Sequence, residues 1–509
     1  QDVFMATLSG NSDWLPTPGD PGPVGIIVGL EYLEITTMIN TPDLMEQGFY
    51  EGFAEFPQSL DESIGSTSFF SEILLPIAAD LPGINFLEAE LGLRITNHSV
   101  TGSHNTYKFA FSYYPADDFF LRGSYNYAMR SPAINELYQS KLVGRGRILD
   151  PCTNGITTGI GALPAGEQFA NYSAVGNSGS GDPWVFVERN QRLEEICIST
   201  GLLAEQLYQT DGAGDGFGVL VDIGGDPDLN SEQASTFSAG FVWTPFEYDD
   251  LSISLDYFDI QIEEFIALTP INVRDLMQGC FVFDAINASG EALPQTSIGG
   301  VNSSTCNSLR RDESGKLTSL FMGLQNLGSH DLQGWDLNLT YGRALFNGYL
   351  NLDYFATKLV KRTIEDDTYG EMNFDCLGLF NGDCEGIVNY PVPEYKHRIT
   401  ANWSTETLDL QLVWRHISSL RDGNDAVEYF TERLDAYSLV NFSGRYRFDK
   451  WAVIAGINNI LNKSPQPIGS NSPEKRLGAS AQGISSNNTY PAFYDVYGRT
   501  FFLKLESSF

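Results

Sequence analysis

The 509-residue sequence lacks long apolar runs, is poor in basic residues and carries no recognisable catalytic motif. No segment approaches the roughly 18 consecutive apolar residues of a membrane-spanning helix, which excludes a helical membrane protein. The 30 basic residues against 65 acidic ones give a formal charge of -35, and a surface of that sign repels nucleic-acid phosphates. The five histidines have no metal-ligand spacing, and neither a nucleophile elbow nor a phosphate loop is present. We therefore predict that the protein is not an enzyme and has no nucleic-acid partner.

Aromatic residues and glycine are abundant, and many of them lie in segments where apolar and polar side chains alternate. The chain has 33 Phe, 24 Tyr and 50 Gly. Alternation is clearest at 87–95, 107–113, 237–243, 335–341 and 440–448. Segments of about ten alternating residues have the length and period of membrane-spanning strands. A soluble sandwich alternates as well, so this pattern alone predicts only an all-β protein.

The connections between these segments favour a transmembrane antiparallel β-barrel. Every second connection is short: 79–85, 115–118, 244–250, 344–348, 405–407 and 449–450. The others are mostly long and polar: 39–66, 131–233, 264–316, 362–395, 418–435 and 462–496. Outer-membrane barrels have this asymmetry, with short periplasmic turns and long extracellular loops. We count about fifteen strands, the first near residues 3–8 and the last at 497–509.

An odd number of strands predicts that further strands precede this sequence. A complete barrel with both ends in the periplasm has an even number of strands. Gln1 is not an initiator methionine, and no leader-like segment follows it. We expect a leader to have been removed or the polypeptide to begin further upstream. A partner segment must also close the open sheet edge, because lipid does not tolerate unpaired backbone groups.

The six cysteines fall into three close pairs, each within one stretch rich in Gly, Asn and Asp. The pairs are Cys152 with Cys197, Cys280 with Cys306, and Cys376 with Cys384. None has the spacing of a metal-binding Cys pair, and no histidine lies nearby. We predict three disulfides in extracellular loops, formed in an oxidising compartment.

Seven short motifs, in order along the chain, resemble those of TonB-dependent receptors. Segment 130–138 (RSPAINELY) resembles their RxPxxxELY/F motif, and 227–233 (PDLNSEQ) resembles NPDLKPE. The later matches are 255–262 (LDYFDIQI), 326–336 (NLG to GWD), 393–398 (PEYKHR), 456–463 (GINNILNK) and the closing strand from 494 onward. The order and spacing hold from about Val24 to the end of the chain. Each motif is weak alone, and their order makes the resemblance specific.

The resemblance implies a barrel of about 22 strands, preceded by a plug domain and a TonB box. Neither the plug nor the box is found in this sequence, so residues 1–509 are expected to be one barrel domain, the C-terminal portion of a longer receptor. The implied function is active uptake of a scarce nutrient across the bacterial outer membrane. Ferric siderophores, cobalamin and oligosaccharides are the substrates open to this family. The alternatives are a passive porin and, third, a secreted carbohydrate-binding β-protein.

The resemblance also implies several partners and surfaces. The partners are outer-membrane lipid, the plug and upstream strands, TonB-ExbB-ExbD acting through the plug, the barrel-assembly machinery and the nutrient. The assembly signal would be Phe501, Leu503, Leu505 and the terminal Phe509. Residues predicted to line the lumen and face the plug are Glu88, Glu90, Arg94, Lys108, Arg122, Asp256, Asp336, Arg415, Arg445, Arg447, Lys504 and Glu506.

One acidic loop has part of a calcium-binding pattern. In segment 211–222, Asp211, Asp215 and Asp222 occupy positions 1, 5 and 12, and a glycine occupies position 6. Position 3 is Ala213, which offers no side-chain ligand, and position 12 is usually Glu. Calcium here is a hypothesis beside the ordinary reading of an acidic, Gly-rich loop, and no other cofactor is expected.

Overall fold

The fold is seen in a computed structural model of the chain. It describes residues 1–12, 18–43, 59–139, 142–146, 148–153, 172–177, 185–209, 219–246, 250–269, 273–281, 285–287, 301, 304–366, 372–380, 391–423, 431–468, 489–490 and 493–507. No helix in these ranges combines the length and the apolar character needed to span a membrane.

Fifteen antiparallel strands form one sheet, and each strand pairs with the next one along the chain. They are β1 Asp2–Ser12, β2 Val24–Ile39, β3 Leu60–Leu81, β4 Ile84–His98, β5 Gly102–Ala116, β6 Phe119–Arg130, β7 Glu232–Trp243, β8 Leu251–Glu263, β9 Ser329–Leu345, β10 Gly348–Asp366, β11 Tyr395–Ser404, β12 Leu408–Ile417, β13 Tyr437–Phe448, β14 Trp451–Asn458 and β15 Thr500–Ser507. Met372–Asp375 adds a short strand beside the end of β10. The predicted all-β class and strand count are confirmed. Within the described residues, β1 and β15 are the edges of the sheet and do not pair with each other.

The remaining elements lie in the connections. The helices are α1 Ile134–Tyr138, α2 Gln191–Ser199, α3 Val273–Phe281 and α4 Ser304–Asn307, with a 3₁₀ turn at Ala204–Gln206. The strands outside the main sheet are Leu142–Gly146, Ile148–Leu149, Tyr172–Asn177, Val185–Glu188, Val219–Gly224, Ile266–Thr269, Ala285–Asn287, Leu309–Arg311, Leu317–Asn326, Leu379–Phe380, Leu420–Asp422 and Arg433–Leu434.

Short and long connections lie at opposite ends of the sheet. Residues 82–83, 117–118, 346–347, 405–407 and 449–450 are tight turns at one end, which we call the turn end. Residues 131–231 and 264–328 are the longest connections at the other end, which we call the loop end. The alternation expected from the sequence is therefore present along most of the sheet, with one exception: residues 99–101 form a short connection at the loop end, between β4 and β5.

One predicted boundary is wrong. The connection after β8 was expected to end at Lys316, but β9 begins at Ser329. The intervening strand Leu317–Asn326 pairs with Ile266–Thr269 and, in parallel, with Val219–Gly224. Its side chains Leu317, Leu320 and Met322 are buried at the loop end, in an apolar core to which distant segments contribute. The closing strand is also shorter than expected, because it starts at Thr500.

The two longest connections share a hydrophobic core, and we call the structure built around it the loop module. Its core comprises Cys152, Val187, Leu193, Ile196, Cys197, Leu202, Val219, Leu276, Met277, Cys280, Phe281, Cys306, Leu309, Leu317, Leu320 and Met322. Helix α2 shows why these residues fold. The Asn190 side chain accepts a hydrogen bond from the Leu193 amide at 3.1 Å, which caps the helix, and Leu193, Ile196 and Cys197 bury one helical face.

Covalent and ionic links tie the loop module together. Disulfides join Cys152 to Cys197 and Cys280 to Cys306, which are two of the predicted pairs. Cys376 is disulfide-bonded as well, and Cys384 lies outside the described residues. The fully buried Arg311 guanidinium donates to both carboxylate oxygens of Asp150, at 2.5 and 3.1 Å. Polar loops were expected here, so a cored and cross-linked module is a finding of the structure.

Candidate functional site

The predicted lumen residues all lie on one face of the sheet, which we call the ionic face. Strand residues alternate between two faces, and residues paired across strands share a face. The register pairs Glu88 with Ser112, Asp256 with Asp336, and Arg415 with Leu439. The same rule places the whole predicted set together: Glu88, Glu90, Arg94, Lys108, Arg122, Asp256, Asp336, Arg415, Arg445, Arg447, Lys504 and Glu506. That these side chains face a plug stays a prediction.

Most basic side chains on the ionic face are paired with a carboxylate of the same sheet. Lys108 Nζ lies 2.6 Å from Glu90, and Arg445 lies 2.8 Å from Glu506. Further pairs are Arg94 with Glu31, Arg447 with Asp409, and Lys504 with Glu506. Asp336 accepts a hydrogen bond from the Thr357 hydroxyl at 2.7 Å. A cavity of about 320 Å³ lined by Glu72, Glu90, Arg94 and Lys108 therefore carries balanced charge.

A glycine allows one ion pair to cross an entire strand. Arg122 of β6 and Asp256 of β8 are both cross-strand partners of Gly240, which lies between them on β7. The guanidinium Nε and Nη2 donate to the two carboxylate oxygens at 2.8 and 2.7 Å. A Cβ at position 240 would stand 2.2 Å from Asp256 Oδ1 and 2.5 Å from the Leu255 carbonyl oxygen. Only glycine leaves the space that this bidentate pair occupies.

We expect Gly240→Ala to lower the free energy of unfolding by about 1–3 kcal/mol, because overpacking forces side chains and backbone apart. The measurement is denaturant unfolding of the folded protein in detergent. Gly92→Ala is the matched control, because this glycine is also on the ionic face and its Cβ would meet Lys108 Cβ at an ordinary 3.6 Å. Equal losses in both variants would contradict the steric explanation.

Basic side chains without carboxylate partners gather at the loop end of the ionic face. Lys396 and Arg398 lie on β11, and Arg415 lies on β12 directly opposite Arg398. They line a cavity of about 290 Å³ together with Phe355, Tyr437, Leu439, Ile417 and Phe493. Among the residues that the structure describes, no carboxylate stands within 4.0 Å of these three cations, and none lines the cavity. We call this feature the basic cavity.

The wall of the basic cavity is held by a second apolar core. Tyr437 and Leu439 pack with Phe380, Leu420, Leu434, Ile468, Tyr490 and Tyr494, and Phe493 packs against the same cluster. The Tyr437 and Tyr494 rings meet edge to face, with centroids 5.0 Å apart. Burial raises the pKa of Tyr494 to about 12, so its phenol is neutral and does not offset the cations. The wall of the cavity is therefore packed into a buried apolar core, and the cavity is positively charged.

Sequence reasoning found only one of the three cations in this cavity. Arg415 was among the predicted lumen residues, whereas Lys396 and Arg398 were noted only as part of the motif at 393–398. Alternation within that motif could have placed both side chains on the ionic face. The absence of ionic partners could not have been foreseen, because it depends on which residues stand across the strand.

The other predicted sites have varied outcomes. Asp211 and Asp215 lie outside the described residues, and Asp222 lies within the strand Val219–Gly224. No group of three metal-ligating side chains occurs in the described ranges, and calcium binding stays a prediction. Phe501, Leu503 and Leu505 share the face opposite Lys504 and Glu506, while Phe509 lies beyond the described part of the chain.

The face opposite the ionic face is apolar and exposed. Its large side chains include Phe237, Trp335, Leu412, Phe442 and Leu503, of which Leu503 is 77% exposed. Aromatic side chains near the turn end donate hydrogen bonds to backbone carbonyl oxygens at the turns. The Tyr113 hydroxyl donates to the Gly83 carbonyl at 2.7 Å, and Trp403 Nε1 donates to the Leu345 carbonyl at 3.1 Å. An apolar outer face with aromatic rings at its border is the pattern that a lipid bilayer requires of strands. A long antiparallel sheet with these two faces defines the wall of a membrane β-barrel.

Comparison with known protein families agrees with this class. The model of the family described as TonB dependent receptor-like, beta-barrel matches residues 25–460, and the chain belongs to this family. The resemblance drawn from the seven sequence motifs is thereby confirmed. No curated protein sequence matches the chain.

Solved structures of receptors share the fold at low sequence identity. The ferric enterobactin receptor PfeA in complex with BCV-L6 is 15% identical with a TM-score of 0.57, covering 100% of this chain and 54% of that one. A variant of PfeA from Pseudomonas aeruginosa in complex with enterobactin is 17% identical with a TM-score of 0.55, at the same coverage. The siderophore receptor PirA from Acinetobacter baumannii is 14% identical with a TM-score of 0.51, covering 100% and 55%. The chain thus spans about half the length of these receptors.

Proposed function

We propose that this chain forms part of the wall of a TonB-dependent transporter in the bacterial outer membrane, which imports a ferric siderophore. The observation that carries the proposal is the match of the receptor-barrel family over residues 25–460. The apolar outer face and the ion-paired inner face fit a wall between lipid and a polar lumen. Siderophores are favoured over cobalamin and oligosaccharides because similar solved structures are siderophore receptors by name.

In this proposal the barrel positions the substrate and the plug, and the energy comes from elsewhere. The loop module and the basic cavity lie at the loop end, which would face the outside of the cell and meet the substrate first. TonB with ExbB and ExbD would act on a plug domain, and upstream strands would pair with the open edge of β1. The ionic face would then contact the plug, and the barrel-assembly machinery would insert the chain through its closing strand.

We expect uptake of a radiolabelled ferric siderophore to require both this gene and TonB. The measurement compares iron-limited cells that carry the complete gene with isogenic cells lacking it, each with and without functional TonB. Uptake that is lost both in cells without the gene and in cells without functional TonB supports active transport, because only an energised receptor depends on TonB. Uptake that depends on the gene and is unchanged without TonB would instead identify a passive porin.

The coding sequence upstream of Gln1 provides an independent check. An open reading frame that continues into more strands and a plug domain supports a receptor. A secretion signal ending immediately before Gln1 would favour a self-contained porin-like barrel. A secreted carbohydrate-binding protein would be identified by its failure to partition into detergent.

A further inference from the structure

Three of the seven segments that resemble receptor motifs meet where the two longest connections leave and re-enter the sheet. Segment 130–138 ends β6 and forms α1, and segment 227–233 leads into β7. The third begins at Asn326, shortly before β9. Hydrogen bonds across 102 and 96 positions of the chain join the three segments. We call the set formed by Arg130, Glu136, Glu232 and Asn326 the root node.

Arg130 is the centre of the root node. Its Nε donates to Glu232 Oε2 at 2.5 Å, and its Nη1 donates to Glu136 Oε2 at 2.8 Å. Each carboxylate also accepts a backbone amide from a connection: Glu136 from Ala133 at 2.7 Å, and Glu232 from Ile266 at 2.8 Å. One arginine therefore links both ends of the first long connection to the start of the second.

The Asn326 side chain joins the remaining end. Its Nδ2 donates to the Asn230 carbonyl at 3.1 Å and to the Glu264 carbonyl at 2.8 Å. Its Oδ1 accepts a hydrogen bond from the Asn230 amide at 2.8 Å. Asn326 thus ties the end of the second connection to the end of the first and to its own start. Together with Arg130, it bonds all four points at which the two connections meet the sheet.

Helix α1 packs tightly beside these polar contacts. Its apolar side chains belong to a buried cluster that includes the return segment, the second connection and β3: Ile134, Leu137, Leu229, Ile266 and Ile64. The Asp226 amide donates to the Glu136 carbonyl at 3.0 Å. A Cβ on Gly225 would stand 2.6 Å from the same carbonyl oxygen, so the return segment lies directly against the helix. The root node is therefore both ion-paired and close-packed.

Three paired strands run from the root node into the core of the loop module. Leu142–Gly146 follows α1, Val219–Gly224 precedes the return segment, and Leu317–Asn326 ends at the node. At their far ends, Val219 and Leu320 are buried in the core of the loop module. Contacts that fix the near ends of these strands therefore fix the direction in which the module stands over the sheet.

We propose that the root node is a positioning site, in which Arg130 and Asn326 hold the loop module in one orientation over the loop end of the sheet. The three motif segments serve to seat the long connections. The module folds through its own core and two disulfides, and the node sets where it stands. The proposal goes beyond the proposed function and is independent of the substrate.

Hydrogen exchange and spin-label distances, measured on the complete receptor in detergent, separate positioning from folding. In Arg130→Gln we expect the amides of Ile266 and Asp226 to exchange about tenfold faster or more, since a hydrogen bond to a charged group contributes about that much. Amides of α2 and α3 should change less than twofold, because the module keeps its own core. Distances between labels at the exposed Ile198 of the module and Lys450 at the turn end should become more broadly distributed.

Arg122→Gln is the matched control. Arg122 lies on the same strand and face as Arg130, and it forms a bidentate pair with Asp256 in the middle of β8. The two arginine side chains are 45% and 47% exposed. The control should leave the Ile266 amide and the label distances unchanged. Arg130→Lys keeps the charge and should retain part of the protection. Glu136→Gln removes one of the two ion pairs and gives a milder variant if Arg130→Gln does not fold.

Four outcomes would overturn the proposal. The Ile266 and Asp226 amides could exchange as slowly in Arg130→Gln and Glu136→Gln as in the original protein, or equally fast in Arg122→Gln. The label distances could keep their distribution in Arg130→Gln. Amides of α2 could accelerate as much as those at the node, which would assign the node to folding of the module. Neither measurement involves substrate or TonB, so a failed node would leave the proposed function standing, and a failed transport test would leave the node standing.

Discussion

Replacing Arg311 by methionine is expected to destabilise the loop module by about 3–5 kcal/mol, the usual cost of leaving one buried charge without its partner. Arg311 and Asp150 are 1% and 0% exposed, so water cannot solvate the carboxylate that remains. The guanidinium also donates to the Thr200 hydroxyl at 2.9 Å and the Gly315 carbonyl at 3.0 Å, and both contacts are lost. Hydrogen exchange of the amides in α2 and α3 measures the effect, and rates should rise about a hundredfold or more.

Two variants make this experiment specific. Arg310→Met changes the adjacent residue, whose side chain is exposed, and should alter stability by less than about 0.5 kcal/mol. The double variant Asp150→Leu with Arg311→Met removes both charges and should recover most of the loss, because no charge is then buried alone. If the α2 amides of the Arg311→Met variant exchange at the same rates as those of the original protein, the ion pair does not stabilise the loop module.

Removing the disulfide between Cys152 and Cys197 by serine substitution should destabilise the same module by about 4 kcal/mol. The estimate follows from the chain entropy released when a link across 45 residues is lost. The serines would also place two hydroxyl groups in an apolar core whose cysteines are fully buried. Limited proteolysis of the folded protein measures the result, with faster cleavage expected within the two longest connections.

Cys280 and Cys306 provide the comparison for that variant. Their link spans 26 residues, so the same relation gives about 3.5 kcal/mol for serine substitution there. Strands β11 to β14 should resist proteolysis in both variants, because the apolar core to which β13 contributes shares no residue with the core of the loop module. A disulfide variant that is cleaved no faster than the original protein would refute a stabilising role for the link.

Local patterns were enough to predict the sheet and its two faces. A strand repeats every two residues, so the alternation around Leu93 and Arg94 decides which side chains share a face without knowledge of the partner strand. Turn residues and connection lengths then determined the strand order, because neighbours in sequence are neighbours in the sheet. The predicted lumen set is on one face for this reason, and two disulfides formed between cysteines of the same connection.

The sequence by itself therefore determined the barrel class, the strand count and the faces, because these follow from short-range periodicity. Tertiary structure alone decided which charges are neutralised and where the long connections fold. Arg311 and Asp150 are 161 positions apart, and Arg122 reaches Asp256 across 134 positions. The basic cavity exists because register sets Arg398 opposite Arg415, and no carboxylate lines the cavity among the residues that the structure describes. Such outcomes depend on contacts between segments distant in the chain, which no local pattern encodes.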